Sequence, residues 1–106
     1  MIETKIYVGL NDAGTKKQEY ETSKYVSILR NVCKSYRVAF SLTFAEGGYM
    51  HEDGEYTEER TLAISLIDVD RTVINDIARD LCTFFHQESV LITDDRVRAY
   101  YINQKS

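Results

Sequence analysis

The chain has no proline, only two cysteines and no excess of positive charge among its 106 residues. Without proline there is no proline kink and no cis-proline turn to place. Two cysteines, Cys33 and Cys82, make no disulfide framework and lack metal-ligand spacing. Both lie inside apolar stripes and read as reduced core residues of a cytosolic protein. Thirteen Lys and Arg against 17 Asp and Glu leave a net charge of −4. That excludes a general coat for DNA or RNA, which needs a positive field. No run approaches the roughly 20 apolar residues that span a bilayer, so no membrane partner is expected. The opening Met1-Ile2-Glu3-Thr4-Lys5 is not a basic region followed by an apolar one, so the expected location is the cytoplasm, without a secretory leader.

What is present describes a small globular unit. The length falls below the roughly 150 residues of a typical domain, so residues 1–106 are read as one α+β domain. Hydrophobic residues at 43% and charged residues at 28% exclude disorder as the main state. A chain of this size buries only about 60–70% of the surface its open form exposes, so stability is expected to be modest and helped by a partner chain. Tyrosine, at eight copies, offers a flat apolar face with a polar tip. It suits a core edge, a subunit contact or a base-stacking site.

Periodicity orders the elements. Ile6, Val8 and Leu10 alternate as a strand, closed by Asn11-Asp12-Ala13-Gly14. Tyr25, Val26, Leu29, Val32, Cys33 and Tyr36 form a helical stripe over residues 22–36, with Thr22 or Ser23 as its cap. Val38, Phe40, Leu42 and Phe44 alternate as a second strand, and residues 46–55 read as an irregular segment with turns at Gly47, Gly48 and Gly54. Residues 61–69 are almost continuously apolar and predict a central strand covered on both faces. Asp70 caps a second helix over 71–86, with Val73, Ile74, Ile77, Ala78, Leu81, Cys82 and Phe85 inward. Residues 89–93 make a strand, and 96–102 alternate again. This order predicts a ferredoxin-like split βαβ arrangement: an antiparallel sheet with two helices on one face and an extra C-terminal strand.

No catalytic signature emerges. There is no nucleophile elbow, no phosphate loop and no glycine fingerprint of a nucleotide-binding crossover. His51 and His86 stand alone, and His51-Glu52-Asp53 are adjacent rather than spaced, so no metal site is expected. Glu58 and Glu59 form a carboxylate pair without specificity of its own. Arg96, Arg98 and Tyr100 fall at two-residue spacing on one strand face. Two readings stand for that face. It is a solvated surface answering the acidic loop, or it is a nucleotide site in which guanidinium forks hold phosphate and a ring stacks a base. Phe84 and Phe85 cannot share one helix face. Phe85 continues the core stripe, which leaves Phe84 at a rim. Gln87 and Glu88 either satisfy backbone groups or line a pocket.

Three segments carry a resemblance. They are Lys5-Ile6-Tyr7-Val8-Gly9-Leu10-Asn11-Asp12, then Gly47-Gly48-Tyr49 followed by Asp53-Gly54 and Glu58-Glu59, and last Phe85-His86-Gln87-Glu88-Ser89-Val90-Leu91. Together they resemble small phage proteins of the first Thoeris anti-defence family and, more loosely, a bacterial family of unknown function. The resemblance implies a sponge, not an enzyme. Such a protein binds a cyclic ADP-ribose signal, or a related cyclic nucleotide, in the host cytoplasm without cleaving it. It implies a homo-oligomer, dimer or higher, with sites near subunit contacts and no cofactor. Phe84 or Phe85 would stack adenine and Arg96 and Arg98 would hold phosphate, with Tyr100, Gln87 and Tyr49 completing the ligand-binding set. Two other classes remain open. One is a homo-oligomeric structural or regulatory module without a small ligand. The other is an enzyme acting on a small anionic metabolite through His51 and Glu58.

Overall fold

The computed structural model describes residues 1–105; Ser106 and the side chain of Tyr49 lie outside the described residues. Strand β1 (Ile2–Gly9) buries Thr4, Ile6 and Val8 on one face and leaves Glu3, Lys5 and Tyr7 half-exposed on the other. Helix α1 (Thr22–Ser35) buries Tyr25, Leu29, Val32 and Cys33. Strands β2 (Ser41–Met50) and β3 (Tyr56–Ile67) form a long hairpin. Helix α2 (Arg71–Phe84) buries Ile74, Ile77, Ala78 and Leu81, and β4 (Leu91–Arg96) closes the fold. The sheet order is β2-β3-β1-β4, with every neighbouring pair antiparallel. This is the expected ferredoxin-like α+β architecture.

The core is a single layer between the helices and one sheet face. Ile6, Val8, Leu10, Leu62, Ile64 and Leu66 meet Leu29, Cys33, Ile77 and Leu81, all fully buried. Each such aliphatic side chain contributes roughly 1.5–3 kcal/mol through loss of apolar contact with water. β3 is central, as its apolar run implies, but the helices cover only one of its faces. The other face carries the smaller Ala63, which is buried, and Ser65, which is half-buried.

Both helices end in the same way. Arg37 (φ 57) and His86 (φ 51) take the left-handed conformation just past α1 and α2. The Val38 N–H then donates to Cys33 O at 3.3 Å, and the Gln87 N–H donates to Cys82 O at 2.9 Å. This is the reversal that satisfies orphan carbonyls at a helix end. It turns the chain after α2 back toward the sheet with Gln87 leading.

Three local expectations are corrected. The segment 46–55 is mostly strand, because β2 continues through Gly47 and Gly48 to Met50 and pairs with β3 from Tyr56. Only residues 51–55 turn, with Gly54 at φ 87 and the Gly54 N–H donating to His51 O at 2.9 Å. The alternating stretch 96–102 adds no separate strand among the described residues. Arg96 ends β4, a last backbone bond joins Val97 to Met1 O at 2.9 Å, and residues 98–103 have no regular structure. Thr22 and Ser23 lie inside α1, and Glu21 occupies the cap without a side-chain bond. The Thr22 hydroxyl accepts from Gln18 Nε2 at 3.1 Å and Arg60 Nη1 at 3.2 Å. Asp70 does occupy the α2 cap, also without a side-chain bond.

Candidate functional site

The sheet face away from the helices carries a cleft lined by β1, β2, β3, the loop before β4 and the start of β4. Its floor depends on register. Gly9 pairs with Thr61, and Glu59 stands two residues before Thr61 on the same face. The Glu59 side chain leans across Gly9, where a Cβ would fall 2.2 Å from Glu59 Oε1. Only glycine leaves room for that carboxylate.

One backbone unit ties the cleft together. The Asn11 N–H donates to Glu59 Oε2 at 2.8 Å, and the Asn11 carbonyl accepts from Gln87 Nε2. A carboxylate and a carboxamide are thus held on opposite sides of one residue. The loop that supplies Gln87 is pinned as well. The Ala13 N–H donates to His86 O at 2.8 Å, and His86 Nδ1 lies 3.0 Å from Asp12 Oδ2. Burial pushes the Asp12 carboxyl up, but N–H groups of Thr15 and Gly14 and the His86 ring outweigh it and hold the group below its ordinary range.

Tyr7, Glu46, Glu59, Gln87, Ser89 and Leu91 are among the residues that line about 260 Å³, and among the described residues no Lys or Arg lines this space. Burial pushes the half-buried Glu59 carboxyl above the usual carboxylate range, while the Asn11 N–H and the His51 ring oppose it without cancelling it. His51, at the hairpin turn, is 5% exposed and places Nδ1 3.5 Å from Glu88 Oε1. The outer side of the same turn is fixed by Lys16, which pairs with Asp53 and, at 2.6 Å, with Glu55. The arrangement is a recessed, negatively charged seat with amide and hydroxyl groups beside it. It can hold a small organic cation and exclude part of its water.

The expected site residues do not converge. Gln87 is at the cleft. Phe85 is 2% exposed in the core, with its ring centroid 5.2 Å from that of Tyr25, so it has no free face to stack a base. Phe84 is 55% exposed, as a rim residue should be. Arg96 stands at the far end of β4 from Leu91, about 16 Å away at the usual strand rise. Arg98 and Tyr100 follow in the exposed tail, so the face proposed for Arg96, Arg98 and Tyr100 is not a strand face. Tyr49 belongs to β2, but its side chain lies outside the described residues. Sequence reasoning named Gly9 only within a resemblance, Glu59 only in a nonspecific pair and His51 only alone or with Glu58, and it joined none of them to the others. Gly9 and Glu59 lie far apart in sequence and meet only through strand register. Among the described residues no group of three or more His, Cys, Asp or Glu is arranged to hold a metal. No helix is long and apolar enough to cross a membrane.

No protein-family model and no curated protein matches this chain. Solved structures do. A phage SAM lyase bound to S-methyl-5'-thioadenosine superposes with a TM-score of 0.73 at 22% identity, over 89% of this chain and 79% of the other. CutA1 from Pyrococcus horikoshii gives 0.56 at 11% identity over 99% and 89%. A DUF3240 family protein from Shewanella baltica gives 0.58 at 8% identity over 97% of each chain. At these identities the likeness establishes the fold. The expectation of a protein that is not an enzyme is corrected here, because an enzyme, the SAM lyase, is among the structures this chain resembles.

Proposed function

We propose that this chain is an enzyme that cleaves SAM, a sulfonium nucleoside, at a carbon–sulfur bond and releases S-methyl-5'-thioadenosine. The observation that carries the reading is the Glu59 carboxylate seated over Gly9 in a cleft without Lys or Arg. A half-buried carboxylate is costly unless a cation joins it, and the substrate brings that cation as its sulfonium. Gln87 and Ser89 offer an amide and a hydroxyl to the polar end of the ligand, and Tyr7 and Leu91 offer apolar surface. The likeness to a SAM lyase holding S-methyl-5'-thioadenosine supports the same choice.

The chemistry follows from charge. The bond from sulfur to the aminobutyrate chain breaks, its electron pair stays on sulfur, and the sulfonium becomes a neutral thioether. A lyase consumes no water, so an oxygen of the substrate's own carboxylate bonds to the carbon as its bond to sulfur breaks, and the aminobutyrate chain leaves as a lactone. Glu59 holds and orients the cation in a recess with little water, where orientation and desolvation lower the barrier. Once sulfur is neutral, the attraction that held it is gone and the thioether leaves.

A cyclic ADP-ribose ligand would bring two phosphates toward Glu46 and Glu59 with no guanidinium in the cleft, so that ligand is the weaker choice. Loss of SAM, a methyl donor, in a host cytoplasm is compatible with the phage anti-defence role that the sequence suggested. Leu91, 61% exposed beside the cleft, supports a homo-oligomer in which a second copy covers that wall. The test is incubation of purified protein with SAM followed by mass spectrometry. Accumulation of S-methyl-5'-thioadenosine without added water in the partner fragment is the expected result. Intact SAM, together with tight retention of cyclic ADP-ribose, would overturn the reading in favour of sequestration.

A further inference from the structure

The two edges of the sheet are protected differently. β4 offers its outer edge over six residues, of which Asp94, Asp95 and Arg96 are charged. β2, at the opposite edge, runs for ten residues with Glu46 as its one charge and no proline. A long edge with few charges is a template for another strand. Phe44 stands on it, 65% exposed. The tail has the opposite problem. Val97-Arg98-Ala99-Tyr100-Tyr101-Ile102 alternates and is rich in strand-forming side chains. Val97 bonds to Met1, but no described residue of the same chain receives the residues beyond it as a strand. Tyr100, Tyr101 and Ile102 are among the most exposed large apolar side chains described.

Charge sets the two segments against each other. From Glu46 to Glu59 there are six acids and no Lys or Arg, while from Arg96 to Lys105 there are three bases and no acid. They cannot meet within one copy. The tail leaves from β4, and β1 and β3 lie between β4 and β2, about 14 Å of sheet at the usual strand spacing.

We propose that residues 97–102 of one copy add as an antiparallel strand to the β2 edge of a second copy. In the register that sets Arg98 opposite Glu46, Tyr100 falls opposite Phe44, Ile102 opposite Leu42 and Ala99 opposite Ala45. Opposite charges, two rings, two aliphatic groups and two small groups then meet across the strands. The faces agree as well. Leu42 and Phe44 pair with Ile64 and Leu62 of β3, which belong to the core on the helix side. Arg98, Tyr100 and Ile102 continue the alternation of Ile92, which packs against the same core. A slip of one residue would put the two sets on opposite faces. Backbone hydrogen bonds supply the affinity and the side-chain pairs the register. Each copy gives a tail and offers an edge, so the contact is head-to-tail and the assembly is complete when a ring closes. The inference goes beyond the SAM-cleavage reading and does not depend on it.

Analytical ultracentrifugation over a range of concentrations reads the mass of wild type, Tyr100→Asp, Arg98→Glu, and Arg98→Glu combined with Glu46→Arg. Wild type is expected to sediment as an oligomer. Each single tail substitution is expected to weaken self-association at least about tenfold, and the charge exchange to restore most of it. Residues 98–102 have no regular structure in their own chain, so both tail variants should keep the wild-type circular dichroism. A second measurement reads the register. Ala45→Cys combined with Ala99→Cys is expected to form a disulfide between two chains on mild oxidation. Ala45→Cys with Tyr100→Cys, whose side chains would point to opposite faces, is not. A wild type that is monomeric at every concentration would overturn the proposal. So would an oligomer whose mass neither tail substitution changes, or a folded charge exchange that stays dissociated. If the charge exchange does not fold, the cross-link decides, and its absence between positions 45 and 99 overturns the proposal.

Discussion

The two ends of β4 hold similar numbers of polar side chains and differ in how they are held. At the Leu91 end, Gln87 is bonded to Asn11, Asn11 to Glu59, and Glu59 rests on Gly9. At the other end Arg96 closes the strand, and Arg98, Tyr100 and Tyr101 extend into solvent, the two rings 73% and 87% exposed. One end has its geometry imposed by backbone and burial. The other presents attractive residue types with little to orient them. Orientation is what a site requires, since a group that must first be immobilised spends binding energy on its own ordering.

The sharpest way to break this contrast is Glu59→Gln. The amide keeps an acceptor for the Asn11 N–H but loses the charge, and SAM cleavage is expected to fall at least about a hundredfold. Melting temperature should not fall, because a carboxylate raised by burial is a strained charge. Its folded form takes up a proton more readily than its unfolded form. The advantage of Glu59→Gln should therefore be largest near neutral pH and shrink as pH drops through the raised Glu59 value. Wild-type cleavage should decline over that same acid range, because the ionised form grips the cation. A thermal melt and a rate profile over pH check both signs.

Gly9→Ala tests the seat without touching a charge. Its new Cβ would collide with Glu59 Oε1, and the displaced carboxylate is expected to cost roughly 10- to 100-fold in kcat/KM. Steady-state kinetics would show it, and an unchanged value would mean that the carboxylate does not need this position. The counterpart at the other end is Arg96→Ala combined with Arg98→Ala. Cleavage is expected to stay within roughly a factor of two, as for ordinary surface substitutions. A large loss there would transfer the site to the tail. The smallest expected effect concerns the helix ends. Arg37→Gly relieves a left-handed conformation and should raise stability by about 1 kcal/mol in a urea titration without altering rate. His86→Gly relieves the same conformation but loses the contact to Asp12, so it should gain less.

The scaffold was readable because burial here follows simple periods. The stripes of α1 and α2 and the alternation of β1 each answer to one face, and a single face needs no knowledge of distant residues. The hairpin was not readable, since Gly47, Gly48 and a run of acids look like a loop in one dimension. They become strand because β3 supplies hydrogen bonds from Tyr56 onward. The end of the chain failed for the converse reason. Residues 96–102 alternate well, but beyond Val97 no described neighbouring strand receives them. Glu59 was visible only as half of a nonspecific pair, and its meaning depended on the register that sets it beside Gly9. Phe85 illustrates a competition between roles. It satisfied the core stripe and was also offered to a ligand, and packing against Tyr25 settled it.

The glycine pair in β2 has a consequence for access. Gly48 has the Tyr56 hydroxyl where a Cβ would fall, and Gly47 faces Thr61 Oγ1 at 3.0 Å, so a side chain at either position would require Tyr56 or Thr61 to move aside. Two adjacent residues that bring no side-chain packing weaken the strand toward its hairpin end. The distal hairpin should therefore breathe as its own small unit, its amides exchanging with deuterium sooner than those around Leu62. Such a seam would let a nucleoside slip past the ribbon and depart again while the helical layer stays shut.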